Sequence, residues 1–118
     1  MITNDEMDAV FHALAHEHRR RILDLVKSRP GVAVGELAGA FDVTRIAVMN
    51  HLAVLEKAGL VVSEKDGRSR RLYLNAVPIQ AIHDRWTDEY SAHWARRLTD
   101  IKALAEAAAA AAAKKGQP

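Results

Sequence analysis

The sequence predicts a mainly α fold with one small β-hairpin, and three observations predict it. Apolar residues recur every three or four positions along most of the 118 residues. A single Asp-Gly step, Asp66-Gly67, stands between two β-prone runs. Pro30-Gly31 and Gly59 break the helical pattern at points where helices end. At this length the chain is expected to form one domain with one modest core.

Thr3 or Asn4 is suited to cap a first helix, with Asp5, Glu6 and Asp8 at its positive end and Met7, Val10, Phe11 and Leu14 on one face. A second helix starts near His16 or Glu17, turns Ile22, Leu23, Leu25 and Val26 inward, and stops at Arg29-Pro30-Gly31. Val34 to Phe41 has room for about two turns of helix. After the connection Asp42-Val43, Thr44 caps a longer helix that buries Val48, Leu52 and Leu55 and ends at Gly59. Leu60–Lys65 and Arg70–Leu74 then flank Asp66-Gly67-Arg68-Ser69 as a hairpin with a basic tip. Pro78 opens a final helix expected to run unbroken to Lys114, about 55 Å at 1.5 Å per residue.

Short helix, tight turn, longer helix and positive hairpin make up the order of a winged helix-turn-helix. The expected organisation is a single domain over 1–115, with the helix-turn-helix at 33–59, the wing at 60–75, a long C-terminal dimerisation helix at 78–114 and a frayed tail at 116–118. Ile79, Ile82, Trp86, Tyr90, Trp94, Leu98, Ile101 and Leu104 form a stripe along that last helix. Leaving such a stripe wet is costly, so a second subunit is its expected cover.

Charge points the same way. The net charge is only +2, yet between Val43 and Asn75 six Lys and Arg face three Asp and Glu. With Val48, Leu52 and Leu55 inward, a step of about 100° per residue turns Ile46, Asn50, Ala53 and Lys57 outward and puts Arg45, Ala47 and Met49 on the flanks. Arg45 suits guanine or phosphate, Asn50 adenine, and Ile46 and Ala47 a thymine methyl, while Thr44 caps and contacts phosphate. Lys65, Arg68, Arg70 and Arg71 of the hairpin are expected to neutralise phosphate or to supply a minor-groove arginine, contacts that position rather than specify. Singly these residues are a cap, a solvated amide and a solubilising tip. In this order they predict binding to double-stranded DNA.

The absence of cysteine excludes disulfides, thiolate metal sites and a cysteine nucleophile. No nucleophile elbow, phosphate loop or zinc-protease motif occurs, so neither an enzyme nor a cofactor-binding protein is expected. The acidic start Met1-Ile2-Thr3-Asn4-Asp5-Glu6 is unlike a signal peptide, and the alanine-rich run ending in Ala107–Ala113 is too short and too weakly apolar to span a bilayer. A cytoplasmic chain with no membrane partner is expected.

From Val10 to Leu104 the sequence resembles the ArsR-type winged-helix regulators of bacteria and archaea. The marks are Ala13-Leu14-Ala15-His16-Glu17-His18-Arg19-Arg20-Arg21-Ile22-Leu23, then Val34-Gly35-Glu36-Leu37-Ala38, then Asn50-His51-Leu52-Ala53-Val54-Leu55-Glu56-Lys57-Ala58-Gly59-Leu60-Val61. Gly67-Arg68-Ser69-Arg70 and the aromatic ladder of the last helix are similar to a branch lacking the metal-binding cysteines. The resemblance implies a homodimer built from the first and last helices, here through Val10, Phe11, Ile82, Trp86, Tyr90, Trp94, Leu98 and Ile101. It implies a repressor bound to a palindromic operator, with an unknown small-molecule effector open.

The resemblance also gives His51 a phosphate-contacting or packing role and makes His16 and His18 parts of an ordinary helix junction. Met49 and Ile46 stand where small residues are common, so the operator sequence is not readable. His83, Asp84 and His93 keep a zinc-responsive repressor as an alternative, although their spacing departs from zinc sensors of this kind, and no metal site is expected. A winged helix serving protein contacts, or an architectural DNA binder, is the other alternative.

Overall fold

The computed structural model describes the backbone of residues 1–87 and 89–115, and their side chains except those of 89–92, 114 and 115. Two compact units divide the chain, Met1–Ile82 and His83–Pro118. The first holds α1 (Asn4–Leu14), α2 (Glu17–Ser28), β1 (Val32–Ala33), α3 (Val34–Gly39), α4 (Arg45–Lys57), β2 (Val61–Asp66) and β3 (Ser69–Leu74).

Both predicted caps form. Thr3 Oγ1 accepts from the Glu6 N–H at 3.1 Å, and Thr44 Oγ1 from the Ala47 N–H at 3.1 Å. α4 ends in a Schellman motif: Leu60 N–H bonds to Leu55 O at 3.0 Å and Gly59 N–H to Glu56 O at 3.0 Å, with Gly59 at φ +77°. Asn75 then fastens this corner, its Nδ2 donating to Gly59 O at 2.8 Å.

The hairpin turn is Gly67-Arg68, with Asp66 paired to Ser69 and only Gly67, at φ +61°, in the left-handed region. A left-handed first position followed by an ordinary second one is the type II′ pattern, which matches the twist of the strands. The structure adds β1 to the two strands foreseen, giving the order β1-β3-β2, all antiparallel, with Val32 opposite Leu72. Two residues are too few to show a strand's alternation in sequence.

One core holds this unit together. Ile22, Val26, Leu37, Val48, Leu52, Leu55, Leu60 and Leu72 are almost wholly removed from water, each contributing about 1.5–3 kcal/mol of transfer free energy. Val10 belongs here too, at 1% exposure. Its helical stripe serves the chain's own core, so the expectation that Val10 faces a partner is corrected, whereas Phe11 beside it is 49% exposed.

The helix expected to run unbroken from Pro78 to Lys114 is two helices, α5 (Val77–Trp86) and α6 (Glu89–Lys115), with Thr87 in neither. The physical reason lies in a β-branched hydroxyl residue at the break: Thr87 Oγ1 donates to the His83 carbonyl four residues back, a bond that competes with the helical ladder. Trp86, Trp94, Leu98, Ile101 and Leu104 are all exposed. The Tyr90 side chain and the tail at 116–118 lie outside the described residues.

Candidate nucleic-acid interface

Packing of Val48, Leu52 and Leu55 into the core turns the opposite side of α4 to solvent. Arg45, Ile46, Asn50, Ala53 and Lys57 are exposed and Ala47 is half-buried, so the face inferred from helical geometry is the face presented. Ile46, at 74% exposure, touches little of its own chain. Met49, on the flank, is half-buried and packs against the core, since a long flexible side chain there folds back onto apolar neighbours.

His51 is half-buried and held by packing. Its Nδ1 lies 3.3 Å from Arg19 Nη1, and its ring lies 4.4 Å from that of His16 and 5.7 Å from that of His18. Burial pushes the His51 imidazole below its ordinary range, and repulsion from His16, Arg19 and His18 adds to the effect.

The hairpin divides its cations into two kinds. Lys65 and Arg68 are exposed at the tip and beside it. Arg70 is already paired, with Nη2 2.7 Å from Glu56 Oε1 and 2.7 Å from Ser63 Oγ. Arg71 donates through Nε to Asp66 Oδ2 at 2.9 Å and through Nη1 to Gly31 O at 3.1 Å, and the bond to Asp66 raises its pKa. Alternation explains the division: Arg70 shares the Leu72 face and reaches α4, whereas Arg71 is on the other face. Placing all four as equivalent phosphate contacts overlooked these partners, which lie up to 40 residues away in sequence.

Sequence reading also passed over a histidine cluster. Among the described residues, the three metal-capable side chains whose donor atoms come together are His16, His18 and His51, within 4.8 Å of one another. His83 is engaged by Thr87, whose Oγ1 lies 2.9 Å from its Nδ1, and His93 sits edge-on to Trp94.

A capped, solvent-facing helix on the same core as a hairpin with a cationic tip defines a DNA-binding winged helix-turn-helix. The comparisons agree. A helix-turn-helix domain family matches residues 14–64. The HTH-type transcriptional regulator YuzN of Bacillus subtilis is 37% identical over 91 residues, covering 72% of this chain and 99% of that protein. The transcriptional repressor SdpR of Bacillus subtilis is 31% identical over 74 residues, covering 63% and 81%. An ArsR-like transcriptional regulator from Rhodococcus sp. RHA1 superposes with a TM-score of 0.65 at 34% identity, covering 86% of this chain and 93% of that one. The chain belongs to the ArsR family of winged helix-turn-helix transcriptional regulators. It is a DNA-binding regulator and not an enzyme, and among the described residues no helix is long and apolar enough to cross a membrane.

Proposed function

We propose that this regulator is a cytoplasmic, homodimeric repressor that recognises a palindromic operator and does not sense metal through thiolates. The observation that carries the reading is the exposed face of α4, where Arg45, Ile46 and Asn50 occupy the first turns and Lys57 the last. Groove-reading helices place their N-terminal residues against base edges. The roles proposed are base contacts for Arg45, Asn50, Ile46 and Ala47, and phosphate contacts for Thr44, Lys65 and Arg68. Arg70 and Arg71 have part of their donor capacity and charge taken by carboxylate partners, and are proposed as weaker phosphate contacts.

Dimerisation is supported by the exposed apolar residues of the last two helices, Trp86, Trp94, Leu98 and Ile101, with Phe11 of α1. A monomer would leave two tryptophans and several aliphatics in water. Two-fold symmetry then calls for a palindrome, and the name of SdpR supports repression. A binding titration on the duplex selected from a random-sequence pool and on its scrambled counterpart, across a salt series, tests the reading. An inverted repeat bound at least about 10³-fold more tightly than scrambled DNA is expected. Equal, salt-sensitive binding to both would refute sequence recognition and indicate an architectural role.

A further inference from the structure

DNA reading as described makes no use of the three clustered histidines. His16 is the N-cap of α2, His18 is in its first turn and His51 is in the middle of α4. Two of these rings are held as hydrogen-bond acceptors. The His18 backbone N–H donates to His16 Nδ1 at 3.1 Å. A guanidinium can only donate, so Arg19 Nη1, 3.3 Å away, makes His51 Nδ1 an acceptor as well. In both neutral rings the remaining proton is therefore on Nε2.

Arg19 extends the cluster to a third helix. It is buried, at 8% exposure, and donates through Nε to Ala13 O at 2.8 Å and through Nη2 to His12 O at 2.9 Å. Its third nitrogen meets His51. One side chain thus binds the end of α1, stands in α2 and touches α4.

We propose that the Arg19–His51 contact is a proton-operated latch that positions the DNA-reading helix, closed while His51 is neutral and released, with loss of operator affinity, when it is protonated. The proposal rests on α4 being the helix that reads DNA. Protonating His51 sets an Nδ1–H against Arg19 Nη1. The groups acting on His51 are His16, Arg19 and His18, none a carboxylate that would welcome the added charge, and α1 brings in the carbonyls of His12 and Ala13 through Arg19. Stacking of His18 on His51, with planes 4° apart, places a further titratable ring beside the contact.

Burial and these neighbours lower the His51 pKa in the closed form. A released histidine titrates near 6.5, so the closed form binds fewer protons. The latch is therefore complete above about pH 6.5 and is lost progressively as pH falls below it. At pH 5.5 the freed His51 favours release by up to about tenfold. A metal ion competes poorly for the same rings, because it would take lone pairs already given to His18 N–H and Arg19 and would sit beside a guanidinium.

The test compares the full chain with His51→Asn, which keeps an oxygen acceptor near the Nδ1 position and does not titrate. Affinity for the selected duplex and the urea midpoint are both measured at pH 7.5 and 5.5. Affinities within about threefold at pH 7.5 are expected. At pH 5.5 the unmodified chain should lose up to about tenfold more affinity than the variant, and a larger share of its midpoint. Parallel pH profiles in both measurements would overturn the latch while leaving the DNA-reading function intact. A chain that is folded yet binds no duplex at pH 7.5 would overturn that function and the proposal with it. Zinc that raises the midpoint at pH 7.5 in the unmodified chain and not in the variant would replace the latch with a metal site. Should His51→Asn fail to fold, His16→Asn, a good N-cap residue, removes one of the charges that lower the His51 pKa and should narrow the loss of affinity between pH 7.5 and 5.5, an unchanged loss overturning the latch.

Discussion

Replacing Arg19 by methionine removes the guanidinium and keeps much of the apolar stem. Two short bonds, to Ala13 O at 2.8 Å and His12 O at 2.9 Å, disappear along with the longer contact to His51. The carbonyls belong to the last turn of α1, where that of His12 also accepts from the Ala15 N–H at 3.3 Å and that of Ala13 takes its donor from Arg19. Charge-assisted hydrogen bonds contribute about 1.5–3 kcal/mol each, so Arg19→Met should cost about 3–6 kcal/mol, a large part of the stability of so small a domain. Arg20 is the control next door. It is exposed and makes a comparable bond, Nη1 to Leu14 O at 2.8 Å, but water replaces that donor on truncation, and Arg20→Met should stay within about 0.5 kcal/mol of the unmodified chain. Urea unfolding followed by circular dichroism at pH 7.5 reads both. With a slope of about 1–3 kcal/mol per molar for proteins of this size, the Arg19 midpoint should fall by about 2 M and the Arg20 midpoint should barely move. Equal midpoints for the two variants would refute the assignment of Arg19 as the residue that closes the end of α1.

Thr44→Ala removes the cap of the DNA-reading helix and should cost about 1 kcal/mol in urea unfolding, with a further loss of operator affinity if the hydroxyl also meets phosphate. Arg68→Ala should weaken operator and scrambled DNA alike and lower the salt slope of log Kd by about 1. Arg70→Ala, starting from a side chain already paired with Glu56 and Ser63, should lower that slope less, and a larger effect at Arg70 would reverse the division of the hairpin cations. Trp94→Asp places a carboxylate within the exposed apolar stripe, and sedimentation should show monomer at concentrations where the unmodified chain is a dimer, with operator binding lost in parallel. A monomeric unmodified chain at micromolar concentration would contradict the dimer reading instead.

Local chemistry was legible along most of the chain. Thr3, Thr44, Gly59 and Gly67 each act within a few residues of themselves, by capping or by taking a left-handed backbone angle, and all four stand where the sequence placed them. The outward face of α4 followed from three buried residues and the helical period. Legibility ended wherever a partner came from far along the chain. Val10 fits an exposed apolar stripe as well as a core one, and only the packing of α1 onto its neighbours assigned it to the core. Arg70 and Arg71 read as free cations because Glu56 lies 14 residues from Arg70, and Gly31 lies 40 from Arg71.

By itself, the sequence determined the order of helices and hairpin, the caps and turns, the exposed face of α4, and with them the family and its DNA-binding class, because periodicity and turn chemistry are properties of neighbouring residues. Tertiary structure alone decided the third strand, the fate of the hairpin arginines and the meeting of His16, His18 and His51 with Arg19. His51 is 32 residues beyond Arg19, and no local pattern encodes that encounter: it exists only once the core has closed and brought α4 against α2.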